Sequence, residues 1–259
     1  MLDDIVMTKH QEVLEAKERL PLEDLKARVA NYLPERSFRK ALTKPGTLAL
    51  IAELKRKSPS KGMLRERFDP VSLAQELQEA GASALSVLTD ETYFGGHQDF
   101  LRDAKQFTEL PVLRKDFIID PYQVYESAFY MADAVLLIVR VLTEELLIGC
   151  MQAADTLGIE PLVEVHSAEE LKVALGTGAH VIGINHRDLK TFQMNPQLTE
   201  ELVPRIPAGK LIVAESGIQS AADVQRMRKL GVHALLIGET LMRAADPGAK
   251  VKELFAGTW

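Results

Sequence analysis

Cysteine and long apolar stretches are nearly absent from the sequence. Cys150 is the single cysteine in 259 residues, so no internal disulfide can form, and we expect a reducing, cytoplasmic setting. The longest apolar run, Ala134 to Val139, has six residues. A membrane-spanning helix needs about 20, so we expect no membrane segment. The N-terminus carries Asp3 and Asp4 and lacks an apolar core, so we expect no secretory leader.

Excess positive charge is also missing. The 31 lysines and arginines are outnumbered by 37 aspartates and glutamates, which gives a net charge of -6 at pH 7. This balance gives no support to nucleic acid or an anionic membrane as the main partner, although a local basic pocket is still allowed. We therefore expect neither of these partners.

Two cofactor motifs are missing as well. No Gly-x-Gly-x-x-Gly follows the first predicted strand, which removes the main sign of a dinucleotide-binding fold. His166 and His186 have no carboxylate or histidine partner at the spacing of metal ligands, so both are interpreted as ordinary polar residues. The sequence therefore predicts no metal site and no cofactor.

A strand-and-helix unit recurs about eight times from Leu48 onward. The predicted strands are 48–54, 84–89, 111–114, 134–139, 160–165, 181–185, 211–215 and 234–238. Helix starts lie between them, such as Asp69-Pro70 and the capping box of Ser167 and Glu170. This alternation indicates a parallel sheet, and eight units without a linker favour a closed (β/α)8 TIM barrel over an open doubly wound sheet.

The first 46 residues are predicted to be helical. Leu20-Pro21 marks a break between helices, and Lys44-Pro45-Gly46 closes the segment. The segment lacks the strands and the length of an independent domain. We therefore predict one (β/α)8 barrel domain over 1–259, with 1–46 as a helical N-terminal extension packed on it.

Polar side chains concentrate where the predicted strands end. These positions are Glu53, Lys55, Thr89, Lys115, Asp116, Arg140, Glu164, His166, Asn185, Arg187, Glu215, Ser216, Gly238 and Glu239. The N-terminal halves of the same strands carry almost no charge. Active sites of barrels lie at the C-terminal face, so we predict a functional pocket there.

Two pairs of these residues suggest acid–base chemistry. Glu53 and Lys55 share one face of the first strand, although such a pair at a surface is often only a solvated ion pair worth about 1 kcal/mol at most. Lys115 and Glu164 end the third and fifth strands and face each other across the mouth. A desolvated lysine has a lowered pKa and acts as a proton donor or a Schiff-base nucleophile, and the carboxylate takes the opposite proton role. The alternative is that Lys115 pairs with Asp116 or Glu164 only to hold the mouth together.

The last two strands suggest an anion site. Ser216-Gly217 and Gly238-Glu239 follow strands seven and eight, the usual phosphate-binding corner of barrels. Glycines there let backbone N–H groups approach an anion, although tight turns alone would also explain them. Asn185 and Arg187 share a face if the strand geometry continues, and an arginine fork suits a carboxylate or phosphate.

Six motifs, in order along the chain, resemble the indole-3-glycerol phosphate synthase family. They are 51–55 (IAELK) with 58–62 (SPSKG), 85–90 (LSVLTD) with 94–96 (FGG), 113–117 (LRKDF), 162–166 (LVEVH), 183–189 (GINHRDL) and 214–218 (AESGI). The match covers about 48–247, and the N-terminal extension is similar too. His186 and Glu239 depart from the small polar residue and the serine found in other members, so Glu239 is assigned no direct phosphate bond.

The resemblance implies a carbon–carbon lyase of tryptophan biosynthesis in its single-function form. Its reaction closes the indole ring of 1-(2-carboxyphenylamino)-1-deoxyribulose 5-phosphate with loss of CO2 and water. Lys115 is the implied general acid and Glu164 the base, with Lys55 assisting as an acid. Glu53 would orient Lys55, and Asn185 would bind hydroxyl or carboxylate groups of the substrate. No cofactor is implied, and either a monomer or a homodimer is compatible with the sequence.

The resemblance also implies the residues that seat this phosphorylated small molecule. The implied substrate-binding and phosphate-binding residues are Ser58, Phe117, Leu136, Arg187, Glu215, Ser216, Gly217 and Gly238. Phe117 and Leu136 form the apolar wall for the aryl ring in this interpretation. Two other classes stay open: another phosphosugar barrel enzyme, such as phosphoribosylanthranilate isomerase or a Schiff-base aldolase using Lys115, and a non-catalytic barrel that binds a phosphorylated metabolite.

Overall fold

The computed structural model describes residues 1–43 and 46–259. The strands are β1 (Ala49–Leu54), β2 (Lys57–Ser58), β3 (Gly62–Met63), β4 (Ala84–Leu88), β5 (Val112–Lys115), β6 (Ala134–Ile138), β7 (Glu160–Val165), β8 (Val181–Asn185), β9 (Leu211–Glu215) and β10 (Ala234–Ile237). The helices are α1 (Leu2–Arg19), α2 (Leu22–Val29), α3 (Phe38–Leu42), α4 (Pro70–Glu79), α5 (Glu91–Phe94), α6 (Asp99–Phe107), α7 (Pro121–Phe129), α8 (Glu144–Leu157), α9 (Ala168–Gly176), α10 (Leu198–Leu202), α11 (Ala221–Lys229), α12 (Glu239–Arg243) and α13 (Pro247–Leu254).

Eight of these strands close into a parallel barrel. Their order around the barrel is β1-β10-β9-β8-β7-β6-β5-β4, so each strand lies beside its neighbours in the chain. The seam pairs β1 with β10 in the register Ala49↔Ala234, and the indole N–H of Trp259 donates to the Leu48 carbonyl at 3.0 Å beside it. The prediction of a closed (β/α)8 barrel is confirmed, because every predicted strand is present in the barrel.

The loop after β1 contains a short antiparallel hairpin. β2 and β3 pair there around a tight turn, with Lys57↔Met63 and Ser58↔Gly62 in register. Two-residue strands are too short to give a periodic apolar pattern, so the sequence carries no sign of them.

The interior of the barrel is apolar along most of the strands and charged at their carboxyl ends. The buried apolar residues of the interior layers are Ala49, Ile51, Ala84, Leu113, Ala134, Leu136, Ile138, Leu162, Val181, Val213, Ala234 and Leu236. Side chains alternate along a strand, so residues two positions further along face inward as well. This alternation places Glu53, Lys115, Glu164 and Glu215 above the apolar layers, at the carboxyl ends of their strands.

The first three helices pack on the barrel: α1 and α2 contact α7, whereas Phe38 and Leu42 of α3 join the apolar cluster of the barrel interior. The Tyr122 hydroxyl of α7 donates to the carbonyls of Ala16 and Leu20 at 3.0 and 2.9 Å, which ties the end of α1 to the barrel. The predicted end of this segment at Lys44-Pro45 lies outside the described residues. None of the described helices has both the length and the apolar character needed to cross a bilayer.

Candidate active site

A cavity of about 490 Å³ opens at the carboxyl ends of the barrel strands. Every residue with an implied catalytic or binding role lines it: Glu53, Lys55, Ser58, Lys115, Phe117, Leu136, Glu164, Asn185, Arg187, Glu215, Ser216, Gly217 and Gly238. Three of the strand-end residues, Thr89, Arg140 and His166, are not part of the lining. This volume lies in the range of pockets that hold a small organic ligand. The strand-end pattern therefore locates the cavity correctly.

Several apolar residues of the lining were missed by the sequence reasoning. Phe94 lines the cavity beside Phe117, with ring centroids 6.1 Å apart. Leu189, Phe192 and Met194 reach the same cavity from the loop after β8. Phe94 and Leu189 lie within the family motifs and could have been named from them, whereas Phe192 and Met194 lie in a loop whose path the sequence does not give.

The Glu53–Lys55 pair forms inside the cavity. Lys55 Nζ lies 2.6 Å from Glu53 Oε2, and both side chains are largely buried. Gly238 makes room for this pair, because a Cβ at that position would collide with the Glu53 carboxylate. Gly183 does the same for the Glu215 carboxylate on the neighbouring part of the wall. These two glycines therefore fix where two of the carboxylates can lie.

Lys115, at the end of β5, lies between two carboxylates, one from β7 and one from β9. Its Nζ is 3.1 Å from Glu164 Oε2 and 3.7 Å from Glu215 Oε2. Of the pairings left open by the sequence, the one with Asp116 is wrong. Asp116 is the next residue along the strand and faces the other way, toward Lys9 at 3.1 Å.

The charge state of Lys115 also differs from the expectation of a lowered pKa. Burial alone lowers the pKa of Lys115, but the Glu164, Glu215 and Glu53 carboxylates outweigh it and raise the pKa above its usual value. The sequence argument counted the burial but not three carboxylates gathered from three other strands. At neutral pH Lys115 is therefore an ammonium that can give a proton, not a free amine nucleophile.

Glu164 and Glu215 are adjacent carboxyls with opposite tendencies. Burial raises the pKa of Glu164, but Lys115 and His166 outweigh it, so the net shift is downward and the group is ionised. Burial and then the neighbouring Glu164 charge raise the pKa of Glu215 well above the usual value. Neighbouring groups whose pKa values diverge in this way supply an acid and a base in one pocket.

Asn185 links Glu164 to Ser216. Its Oδ1 accepts from the Ser216 hydroxyl at 2.8 Å and from the Arg187 backbone N–H at 3.0 Å. With the oxygen occupied, the amide group is oriented to donate to the Glu164 carboxylate. Ser216 has a left-handed backbone with φ of 68°, and the following Gly217 has φ of 79°. The Ser216 hydroxyl is thus hydrogen-bonded to Asn185, and Ser216 and Gly217 line the cavity.

Arg187 spans the mouth of the cavity. Its Nη2 lies 3.1 Å from Glu239 Oε2, and its Nη1 donates to the Ser60 hydroxyl at 3.3 Å. It therefore joins the first loop of the barrel to the corner after β10. Ser58 lies in the same loop, and its buried hydroxyl oxygen has no hydrogen-bond partner among the described residues.

His166 has two carboxylate neighbours that its spacing in the sequence did not predict. Its Nε2 lies 3.3 Å from Glu164 Oε1 and its Nδ1 lies 3.3 Å from Glu170 Oε2. His186 bonds instead to the Ser216 carbonyl at 3.0 Å and to the Thr199 hydroxyl at 2.6 Å. Within the described ranges, no group of three or more histidine, cysteine, aspartate or glutamate side chains has an arrangement suited to a metal ion.

Comparison with known proteins agrees with the sequence motifs. A family model described as indole-3-glycerol phosphate synthase matches residues 2–254. The indole-3-glycerol phosphate synthase of Alkaliphilus metalliredigens is 43% identical over 257 residues, covering 99% of this chain and 98% of the relative. That of Caldanaerobacter subterraneus is 47% identical over 253 residues, covering 98% of this chain and 96% of the relative.

Solved structures of other enzymes share the barrel. The crystal structure of a 3-hexulose-6-phosphate synthase superimposes with a TM-score of 0.64 at 16% identity, covering 82% of this chain and 100% of that one. The crystal structure of KGPDC from Streptococcus mutans gives a TM-score of 0.61 at 13% identity, covering 80% of this chain and 94% of that one. At such low identity these two likenesses show the fold alone.

Proposed function

The chain belongs to the indole-3-glycerol phosphate synthase family, and we propose how its own side chains divide the work of that activity. The activity is that of a carboxy-lyase of tryptophan biosynthesis. It closes the indole ring of 1-(2-carboxyphenylamino)-1-deoxyribulose 5-phosphate with loss of CO2 and water. One observation carries the proposal: a buried lysine, Lys115, lies between Glu164 and Glu215 in the wall of the cavity.

Lys115 acts as the general acid of ring closure. The ring carbon that bears the carboxylate attacks the substrate carbonyl carbon, and the carbonyl oxygen needs a proton as its double bond opens. An ammonium whose pKa is raised by Glu164, Glu215 and Glu53 carries that proton throughout the neutral range. CO2 then leaves from the ring carbon that made the attack, which restores the aromatic ring.

Glu164 acts as the base of the dehydration that follows. The intermediate loses a proton to a carboxylate while its hydroxyl leaves as water after protonation. Glu164 is held ionised, which suits it to accept the proton. Lys55 donates to the leaving hydroxyl, and Glu53 orients Lys55 through their 2.6 Å pair. Proton transfers of this kind each contribute about 10²–10⁴ in rate.

The remaining lining residues seat the substrate. Phe117 and Leu136 face the aryl ring. Asn185, Arg187 and Glu215 bind hydroxyl or carboxylate groups, and Arg187 is a fork suited to either a carboxylate or the phosphate. The proposed phosphate cradle is the Ser58 hydroxyl with the backbone N–H groups of Ser216, Gly217 and Gly238. Glu239 makes no direct phosphate bond, since its carboxylate pairs with Arg187.

Absorbance and fluorescence of the purified protein with the carboxyphenylamino-deoxyribulose phosphate test the proposal. Indole product without added cofactor is expected, with its formation lost in Lys115→Ala and Glu164→Gln proteins that still fold. Lys229→Ala, which changes an exposed lysine of α11, is the matched control and keeps full activity. Covalent trapping by borohydride with a keto sugar phosphate, instead of turnover, would point to a Schiff-base aldolase. Binding of phosphate esters without turnover of any would point to a non-catalytic barrel.

We also propose the setting in which the enzyme works. Residues 1–259 act as one unit with 1–46 as its extension, as a monomer or homodimer in the cytoplasm. The small-molecule substrate is the only partner proposed, with no role for nucleic acid or membrane and with no cofactor. The net charge of -6 and the single cysteine support this setting. Sedimentation analysis with and without substrate would determine the oligomeric state.

A further inference from the structure

His166 lies directly behind the proposed base. It follows β7 immediately, and its side chain is only 2% exposed. Each ring nitrogen faces a carboxylate oxygen at 3.3 Å, Nε2 toward Glu164 and Nδ1 toward Glu170. The division of catalytic roles proposed above gives this residue no part, although its Nε2 lies 3.3 Å from the carboxylate of the proposed base.

Glu164 is held by different residues at its two oxygens. Oε2 is 3.1 Å from Lys115 Nζ, and Oε1 is 3.3 Å from His166 Nε2. Neither Glu164 Oε1 nor His166 Nε2 has a hydrogen-bond partner among the described residues, and the 3.3 Å between them is a close polar contact without hydrogen-bond geometry. Buried polar atoms of this kind are costly to leave unpaired, which stabilises their mutual approach.

Glu170 fixes the orientation of His166 from the other side. Its Oε2 accepts from the His166 backbone N–H at 2.7 Å and lies 3.3 Å from Nδ1. The predicted capping box is therefore only half formed. The Ser167 hydroxyl does accept from the Glu170 N–H at 3.2 Å, but the Glu170 carboxylate turns to His166 instead of to the cap. Arg140 Nε donates to Glu170 Oε1 at 2.7 Å and holds that carboxylate in place.

Each nitrogen of the His166 ring faces one carboxylate oxygen, Nε2 toward Glu164 and Nδ1 toward Glu170. A ring nitrogen that carries a proton can donate to the oxygen that it faces. The ring is thus placed to orient the Glu164 carboxylate.

We propose that His166 is a positioning residue for Glu164, holding Oε1 from the side opposite Lys115 so that the carboxylate keeps one orientation toward the substrate. This inference rests on the proposed role of Glu164 as the base. The groups facing Glu164 are Lys115 from β5, Asn185 from β8, Glu215 from β9 and His166 itself. Of these, Lys115 lies 3.1 Å from Oε2 and His166 lies 3.3 Å from Oε1.

Two amide variants separate the proposed role from a purely structural one. The amide nitrogen of His166→Asn lies near the position of Nδ1 and keeps a bond to Glu170, but it cannot reach Glu164. The amide nitrogen of His166→Gln lies near the position of Nε2 and restores a donor toward Glu164. The two variants are similar in polarity, so they form a matched pair.

Steady-state kinetics of ring closure give the first readout. In His166→Asn we expect kcat to fall by between about tenfold and about 10²-fold, the cost of a slightly misplaced catalytic group, with KM nearly unchanged. The acidic limb of its pH profile moves to higher pH, because a cation that lowers the pKa of Glu164 is lost. His166→Gln recovers most of kcat. Equal losses in both variants, or a wild-type profile in His166→Asn, would overturn the proposal.

A measurement without substrate separates this inference from the proposed function. The ¹⁵N NMR signal of His166 Nε2 is compared between the wild-type protein and Glu164→Gln. We expect a clear change at Nε2, and an unchanged signal would overturn the contact on which the proposal depends. If the wild-type protein makes no indole product, the proposed function fails by itself, and this spectrum still decides whether His166 holds Glu164.

Discussion

Lys9 and Lys115 are two buried lysines among carboxylates, on opposite sides of the same barrel wall. Lys9 reaches in from α1 and lies 2.8 Å from Asp90 and 3.1 Å from Asp116. Lys115 lies inside the barrel, 3.1 Å from Glu164. Lys115 and Asp116 are consecutive residues, and consecutive side chains of a strand point to opposite faces. Lys115 therefore faces the barrel interior, and Asp116 faces Lys9.

The two clusters differ in what surrounds their carboxylates. Asp116 also accepts from the Thr89 hydroxyl and the Phe117 N–H, and Asp90 accepts from the backbone at the start of α5. In the other cluster, neither oxygen of Glu215 has a hydrogen-bond partner among the described residues, and the cavity lies beside it. A shifted pKa alone does not separate the two clusters, because Lys9 and Lys115 are both shifted upward. Asp90 Oδ2 also lacks a hydrogen-bond partner among the described residues, and a smaller cavity of about 240 Å³ lies beside Lys9. The larger cavity of about 490 Å³ and the two Glu215 oxygens without partners therefore mark the cluster with the proposed catalytic role.

The largest expected effect is on activity, from Lys115→Met. Loss of the general acid should lower kcat/KM by about 10³-fold or more, within the usual range for a proton-transfer residue. Circular dichroism should still show a folded protein, because Glu164 and Glu215 can take up protons from the adjoining cavity. A loss of folding without a loss of specific activity would show that Lys115 serves stability, as we expect for Lys9, and not catalysis.

Lys9→Met should give the opposite result. Removing the cation leaves Asp90 and Asp116 buried without their partner, which costs about 3–5 kcal/mol of unfolding free energy. Activity per folded molecule should stay within a few-fold of wild type. Urea denaturation and kinetics on the same sample measure both quantities, and Lys229→Met, at an exposed lysine of α11, is the control with no measurable change. A large loss of kcat without destabilisation would place Lys9 in the reaction.

Gly238→Ala tests the space reserved for the Glu53–Lys55 pair. The added Cβ collides with the Glu53 carboxylate, so the pair must move. We expect kcat/KM to fall by about 10- to 10²-fold, the cost of a displaced catalytic group. Gly176→Ala at the end of α9, where a Cβ has open space, is the control and leaves kinetics unchanged. Equal kinetics in both variants would show that Glu53 and Lys55 adjust freely.

Glu215→Gln should have the smallest effect, on the pH dependence of stability. The pKa of Glu215 is raised in the folded state, so its contribution to stability is fully present below the unfolded pKa of about 4.5 and is lost as pH rises toward the folded pKa. Glutamine resembles the protonated acid and does not titrate. The variant should therefore gain a few degrees in Tm relative to wild type at pH 8 and nothing at pH 4. A parallel shift at all pH values would contradict this assignment.

The alternation of side chains explains why so much of this molecule could be predicted from its sequence. Buried parallel strands carry continuous apolar runs, and the polar residues that end them must meet at one face of a closed barrel. The inward position of Lys115 and Glu164 follows directly. The outward position of Asp116 follows from the same rule and could have been predicted.

The remaining features depend on distances between elements that the sequence does not give. The direction of the Lys115 pKa shift depends on how many carboxylates other strands bring within reach. The contact of His166 with Glu170 depends on the turn between β7 and α9, where a residue of the helix folds back. Gly238 follows the last strand of the barrel and Glu53 lies on the first. No local sequence pattern therefore predicts that the two are in contact.

The seam between β1 and β10 has a consequence for the protein as it is synthesised. Glu53 is synthesised early, whereas its spatial neighbour Gly238, which directly follows β10, is synthesised about 180 residues later. Until Ala234 pairs with Ala49, the barrel is an open sheet, and the acidic and basic residues of the future pocket stay hydrated. The nascent chain therefore has no enclosed pocket, and the shifted protonation states of Lys115 and Glu215 arise only when the last strand is in place.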